Sequence, residues 1–138
     1  MADIPAAGAI PVSEITGDPV VRVSADATVA DVARYIVNAE VGAVVVGDDE
    51  RPTALISERD VVRVVAAGDD PARVRAIDVA SKNLIWCDAD ATIDQAAARM
   101  IDHYIRHILV ERAGVLVGIV SARDLLGVYG GDAKDNPL

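Results

Sequence analysis

The sequence has 138 residues, 52% of them hydrophobic and 25% charged, which is room for one compact domain or two small units sharing a core and is too apolar for a disordered chain. Thirteen Lys and Arg stand against 22 Asp and Glu, a net charge of −9, so a nucleic-acid partner is excluded on long-range repulsion. No stretch approaches the ~18 apolar residues of a membrane span, and the start MADIPAAGAIPVSEI lacks the basic head and apolar core of a secretory signal, so a soluble, cytoplasmic protein with no membrane partner is expected.

In chain order, residues 20–23 form an apolar run of strand composition. Thr28-x-x-Asp31 marks a helix start, a Thr N-cap with an acid three residues on, and Val29, Val32, Ala33 and Ile36 then fall on one stripe. A break near Gly42 leads to a strand over 43–46, a turn over 47–51, a strand over 53–56 and a second helix from Ser57. Residues 68–78, GDDPARVRAID, read as a linker. The order then repeats: a strand over 84–87, a helix from Thr92-x-x-Gln95 with Ile93, Ala96, Ala97, Met100 and Ile101 on its stripe, a break near Arg106, a strand over 107–110, a turn over 111–114, a strand over 115–120 and a helix from Ser121. Residues 131–138 read as a flexible tail. Cys87 is the only cysteine, so neither an intrachain disulfide nor a thiolate zinc cluster can form.

The recurrence is a duplication. Displaced by 64 residues, positions 15–64 align with 79–128 without a gap, and ten of the fifty pairs are identical, where unrelated sequences of average usage give roughly one in fifteen to twenty. Identity concentrates in Ala25-Asp26-Ala27-Thr28 with Ala89-Asp90-Ala91-Thr92, and in Ser57-x-Arg59-Asp60 with Ser121-x-Arg123-Asp124. Units of about fifty residues bury too little core alone, so the halves are expected to pack face to face.

With Ala54-Leu55-Ile56-Ser57-Glu58-Arg59-Asp60 and Gly118-Ile119-Val120-Ser121-Ala122-Arg123-Asp124 each ending the third strand of a repeat, the chain resembles a tandem pair of CBS (cystathionine β-synthase) domains, a Bateman module. That family carries Gly-hydrophobic-x-Thr/Ser-x-x-Asp at this place. The resemblance covers roughly residues 10 to 130. It implies an α+β fold of two β-α-β-β-α repeats with pseudo-two-fold symmetry, repeat one at 10–67 and repeat two at 79–130. It also implies binding of AMP, ADP, ATP or S-adenosylmethionine in clefts between the repeats, a homodimer, and an unknown protein client. No further cofactor is implied.

A Ser at a helix start lies beside free backbone N–H groups and the positive end of the helix dipole, a place that suits phosphate. An Asp three residues on can accept both hydroxyls of a ribose. The same spacing is also a capping box, whose side chains satisfy only the helix's own N–H groups, and both readings stand. By the resemblance, Asp60 and Asp124 would hold ribose, and Ser57 and Ser121 phosphate. Gly118 favours the second signature, since Ala54 adds a methyl group. Thr16 and Ser81, just before the first strand of each half, are candidates to line the cleft, or else ordinary turn residues. Arg106-His107 opens the second strand of repeat two as in the family and could meet a phosphate; Gly42-Ala43 could not. Two unequal sites are expected.

His103 and His107 lack a third ligand, so no metal site is expected. Trp86 and Tyr104 could stack on a base but read as packing or interface residues. With no nucleophile elbow and no phosphate-binding Gly-rich loop, an enzyme is not expected. Two classes remain: a nucleotide-sensing regulatory module, and a ligand-free scaffold for another protein. Under either, Val61-Val62-x-Val64-Val65 and Leu125-Leu126-x-Val128-Tyr129 are candidate dimer faces.

Overall fold

The computed structural model describes residues 6–15 and 20–135, with side chains through residue 130. The chain is α+β and runs β1 (Arg22–Val23), α1 (Val29–Ala39), β2 (Ala43–Val46), β3 (Leu55–Ser57), α2 (Glu58–Ala66), α3 (Ala76–Val79), β4 (Trp86–Asp88), α4 (Ile93–His103), β5 (His107–Arg112), β6 (Val115–Ser121) and α5 (Ala122–Asp135). Short 3-10 turns at Ala7–Ala9 and Val12–Ile15 precede them.

The helices begin where local chemistry directs. Thr28 and Thr92 each accept the N–H three residues on, and Asp31 and Gln95 return the bond to the cap N–H, giving two complete capping boxes. The Thr28 amide and hydroxyl, followed by the Arg34 guanidinium, hold the Asp31 carboxyl below its ordinary value. Both helices end on a non-glycine residue in the left-handed region, Glu40 (φ 55°) and Tyr104 (φ 54°).

Two three-stranded sheets form, ordered β1-β2-β3 and β4-β5-β6. In each the first pair is parallel and the second antiparallel, and the registers repeat at the 64-residue offset: Arg22↔Val45 with Trp86↔Leu109, Ala43↔Ser57 with His107↔Ser121. Two compact units result. One runs from Val20 to Leu84; the other joins Ile85 onward to the described residues before position 16. We call them the first-repeat and second-repeat units. The first centres on Val29, Val32, Val44, Ile56 and Ala76, the second on Val12, Ile93, Ala96, Ile108, Val110 and Val120, all fully or nearly fully buried. Each large aliphatic side chain so buried contributes about 1.5–3 kcal/mol. Cys87 lies in the second core, where burial pushes its thiol up to about 11.

The compact units cross the repeat bounds of 10–67 and 79–130. After α2 the chain does not link freely to repeat two. The N–H of Val29 donates to the Val74 carbonyl (2.8 Å), that of Ala76 to Ala27 (2.8 Å), Thr28 bridges Arg75, and Ser81 exchanges two hydrogen bonds with Leu55 (2.8 and 3.0 Å). Sixty-four positions earlier the same pattern falls on the other unit. The N–H of Ile93 donates to Ile10 (2.9 Å), that of Val12 to Ala91 (2.7 Å), and Pro11 bridges Thr92. A helix leaves its first N–H groups without internal partners, and here a carbonyl of the arm supplies one. Each repeat thus lends its N-terminal arm to the unit built by the other.

Smaller differences have local causes. Residues 131–135, expected in a flexible tail, continue α5. The turn expected over 111–114 narrows to Ala113 and Gly114, both at positive φ, because β5 runs on to Arg112 past a register shift at Val110/Glu111. Ile101, placed on the buried stripe of α4, is 72% exposed.

Candidate functional site

Each signature sits where an antiparallel strand runs directly into a helix, so the strand's last Ser becomes the helix cap. In the first repeat this mouth is closed on itself. The Ser57 N–H donates to Asp60 Oδ2 at 2.9 Å, the Ser57 hydroxyl donates to the same oxygen at 3.1 Å, and the Asp60 N–H donates to Ser57 Oγ at 3.3 Å. Arg63, three residues on, brings Nη1 to 3.7 Å from Asp60 Oδ1.

The second mouth has the same backbone and fewer internal partners. The Ser121 N–H donates to Asp124 Oδ2 at 2.8 Å, and the Asp124 N–H donates to Ser121 Oγ at 3.1 Å. Gly127 stands at the position equivalent to Arg63. Among the described residues nothing takes the Ser121 hydroxyl proton, and nothing pairs with Asp124 Oδ1. One donor and one acceptor are left at a helix N-terminus, where the dipole favours negative charge.

The neighbouring strand sharpens the contrast. His107 is the register partner of Ser121, and the Ala122 N–H donates to the Arg106 carbonyl at 2.8 Å. The strand register therefore sets the backbone of Arg106 and His107 beside Ser121 and Ala122 at the head of α5. In the first repeat Ala43 faces Ser57, and the Glu58 N–H donates to Gly42 at 3.0 Å, so no cation arrives by this route. Gly118 is buried beside the register shift of β5 and β6, while its counterpart Ala54 lies in the first-repeat core.

Ser81, which heads repeat two in sequence, is brought to the first-repeat unit, against Leu55 and two residues from Ser57. That follows from the arm exchange, which the 64-residue comparison did not reveal. Thr16 lies outside the described residues. Trp86 is half-buried in β4, and Tyr104 is 94% exposed at the end of α4. No group of three or more His, Cys, Asp or Glu able to hold a metal occurs among the described residues. No described helix is long and apolar enough to cross a membrane. An open groove of about 700 Å³ lies between the β1–α1 loop and the outer face of α1. Its Asp31 and Arg34 are already engaged with Thr28 and with each other.

The contrast between Arg63 and Gly127 was present in the sequence, at an i,i+3 spacing from the signature acid that puts both side chains on one helix face.

Comparison with known proteins places these features in a family. The CBS domain model matches residues 12–67 and 74–131. An uncharacterised protein of Methanopyrus kandleri is 33% identical over 122 residues, 86% of this chain and 62% of its own, so this chain spans less than two thirds of that relative. Hypoxic response protein 1 of Mycobacterium tuberculosis is 33% identical over 100 residues, 71% of this chain and 70% of its own. Among solved structures, a CBS domain protein of Pyrobaculum aerophilum complexed with AMP aligns with a TM-score of 0.75 at 32% identity, covering 88% of this chain and 99% of that one. A hexameric CBS-CP12 protein from bloom-forming cyanobacteria aligns at 0.78 and 26% identity, covering 86% and 67%. The two matched stretches take in both sheets and both Ser-x-x-Asp mouths, and the chain belongs to the CBS domain family as a tandem pair.

Proposed function

We propose that this CBS pair is a regulatory module that binds an adenosine nucleotide or S-adenosylmethionine and passes the change in its conformation to a protein client. The principal site is the second-repeat mouth. Asp124 Oδ1 accepts from the ribose, the Ser121 hydroxyl donates to a phosphate, and Arg106 and His107 supply cationic and hydrogen-bonding partners for the same phosphates. Ser57, Asp60 and Ser81 form a weaker counterpart, and Thr16 belongs to this proposal through the family pattern alone. The observation that carries the reading is the pair of groups left over after capping, Ser121 Oγ–H and Asp124 Oδ1. The Pyrobaculum relative complexed with AMP supports the ligand class. No catalytic step is assigned to these residues; a ligand that biases one conformation over another is sufficient for regulation.

A second reading is a ligand-free scaffold, favoured by the fact that one oxygen of each signature Asp is already bound to its own helix. A thermal-shift panel with AMP, ADP, ATP, S-adenosylmethionine and NAD separates the two. A ligand at 100 times its dissociation constant adds about 2.7 kcal/mol to the folded state, a rise of roughly 5–10 °C for a domain of this size. A rise restricted to one or two adenosine compounds is the expected result. No rise at millimolar ligand would leave the scaffold reading.

A further inference from the structure

Both repeats lend an arm, but the two arms are held differently. Gly8, in the arm seated on the second-repeat unit, is buried against Asp94 in the first turn of α4. A Cβ at Gly8 would fall 2.2 Å from both carboxylate oxygens, so the carboxylate fills the space a side chain there would need. Tyr129 of α5 donates its hydroxyl to Asp94 Oδ1. Its half-buried ring packs on the core cluster that also receives Ile10 and Ile15 of the arm. One carboxylate therefore touches arm and α5 from the helix between them.

The arm seated on the first-repeat unit has none of this. Ala72, Ala30 and Val65 stand at the positions equivalent to Gly8, Asp94 and Tyr129, and Val65 is 60% exposed. The backbone docking shares the Val12 and Ala76 positions, both fully buried, and otherwise differs: the Ala30 N–H donates to the Pro71 carbonyl at 3.0 Å and Ser81 exchanges two hydrogen bonds with Leu55 on one side, and the Ser13 N–H donates to Ala89 at 3.1 Å on the other.

We infer that Gly8, Asp94 and Tyr129 form a latch that fixes the N-terminal arm to the second-repeat unit, so that the two exchanged arms open with different ease. The latched arm is continuous in sequence with β1 of the first repeat. Its release frees the Ile93 N–H at the head of α4 and empties the core position of Val12.

Native-state hydrogen exchange on the full chain tests this with an internal control. The amides of Val12, Ser13 and Ile93 report the latched arm, and those of Ala76 and Val29 report the other. In Tyr129→Phe, which keeps the ring, Val12, Ser13 and Ile93 are expected to exchange about five- to tenfold faster while Ala76 and Val29 are unchanged. Gly8→Ala displaces the carboxylate and gives the same pattern. Asp94→Ala added to Tyr129→Phe also removes the carboxylate packed on Gly8 and is expected to raise exchange at Val12, Ser13 and Ile93 further, again with Ala76 and Val29 unchanged. Unchanged exchange at Val12, Ser13 and Ile93 in Tyr129→Phe would overturn the latch. So would an equal rise at both arms, which reports a general loss of stability.

Discussion

Ser57 and Ser121 cap their helices with the same two backbone bonds, and what separates the two mouths is one hydroxyl proton and one carboxylate oxygen. That makes Asp124→Asn a sharper probe than deletion. Asparagine keeps one carbonyl oxygen to accept the Ser121 N–H, so the cap survives, and it replaces the open Oδ1 with an N–H₂ group that cannot accept from a ribose hydroxyl. Loss of a hydrogen bond to a charged acceptor costs about 1.5–3 kcal/mol, or about 10- to 100-fold in Kd. Asp60→Asn alters an oxygen already facing Arg63 and is expected to change nucleotide affinity by less than about threefold. Isothermal titration of the three proteins with the compound chosen by the thermal panel checks this. Equal affinities in all three would remove the second-repeat mouth as the site.

At the scale of elements, α4 ends on a residue that suits the position poorly. Tyr104 holds φ 54°, where a Cβ is crowded and glycine is not. Its ring is 94% exposed in the single chain, so truncation loses no packing there. Tyr104→Gly keeps the N–H that donates to Ile101 and is expected to stabilise the chain by about 0.5–1 kcal/mol, after the greater freedom of unfolded glycine is set against the relief. Urea denaturation measures it; a loss of stability would mean that the ring is covered in the assembled protein. Helix starts were legible in the sequence because capping is local: Thr28, Ser57, Thr92 and Ser121 each carry their partner three residues on. The arms were not. Whether 71–81 is a linker or a docked arm turns on where Val74 and Ala76 find their hydrogen-bond partners, and these lie in α1 and its cap loop, about forty-five residues back. No local pattern encodes a pairing of that range. The candidate site was half legible for the same reason. Ser121, Asp124, Arg106 and His107 follow from strand register, whereas the placing of Ser81 beside Leu55 follows from the arm.

Across the whole molecule the duplication leaves one more regularity. Val37 on α1 and Val62 on α2 are 73% and 63% exposed, and their counterparts 64 residues on, Ile101 and Leu126, are 72% and 69% exposed. Within the candidate dimer faces only Val62, Val65 and Leu126 are exposed; Val64 and Leu125 belong to the cores and Val61, Val128 and Tyr129 are half-buried. A chain with net charge −9 gains solubility from its acids, and it keeps large apolar side chains in water at the same helical positions of both repeats. We propose that a second copy covers them. A self-complementary pairing buries the same kind of patch on both partners at once, and a duplicated chain presents that patch twice. Placing a carboxylate at each, Val62→Asp with Leu126→Asp, leaves both cores untouched and sets like charges across the contact. Light scattering after size exclusion is expected to give twice the 14.4 kDa chain mass for the natural protein and the single mass for the double variant, with unchanged circular dichroism. A natural protein of six chain masses would put it with the cyanobacterial hexamer in assembly, and the double variant would then tell whether α2 and α5 form one of the hexamer's contacts. A natural protein that runs as a single chain would leave these four residues without a partner of their own kind, and the client protein would be the one to cover them.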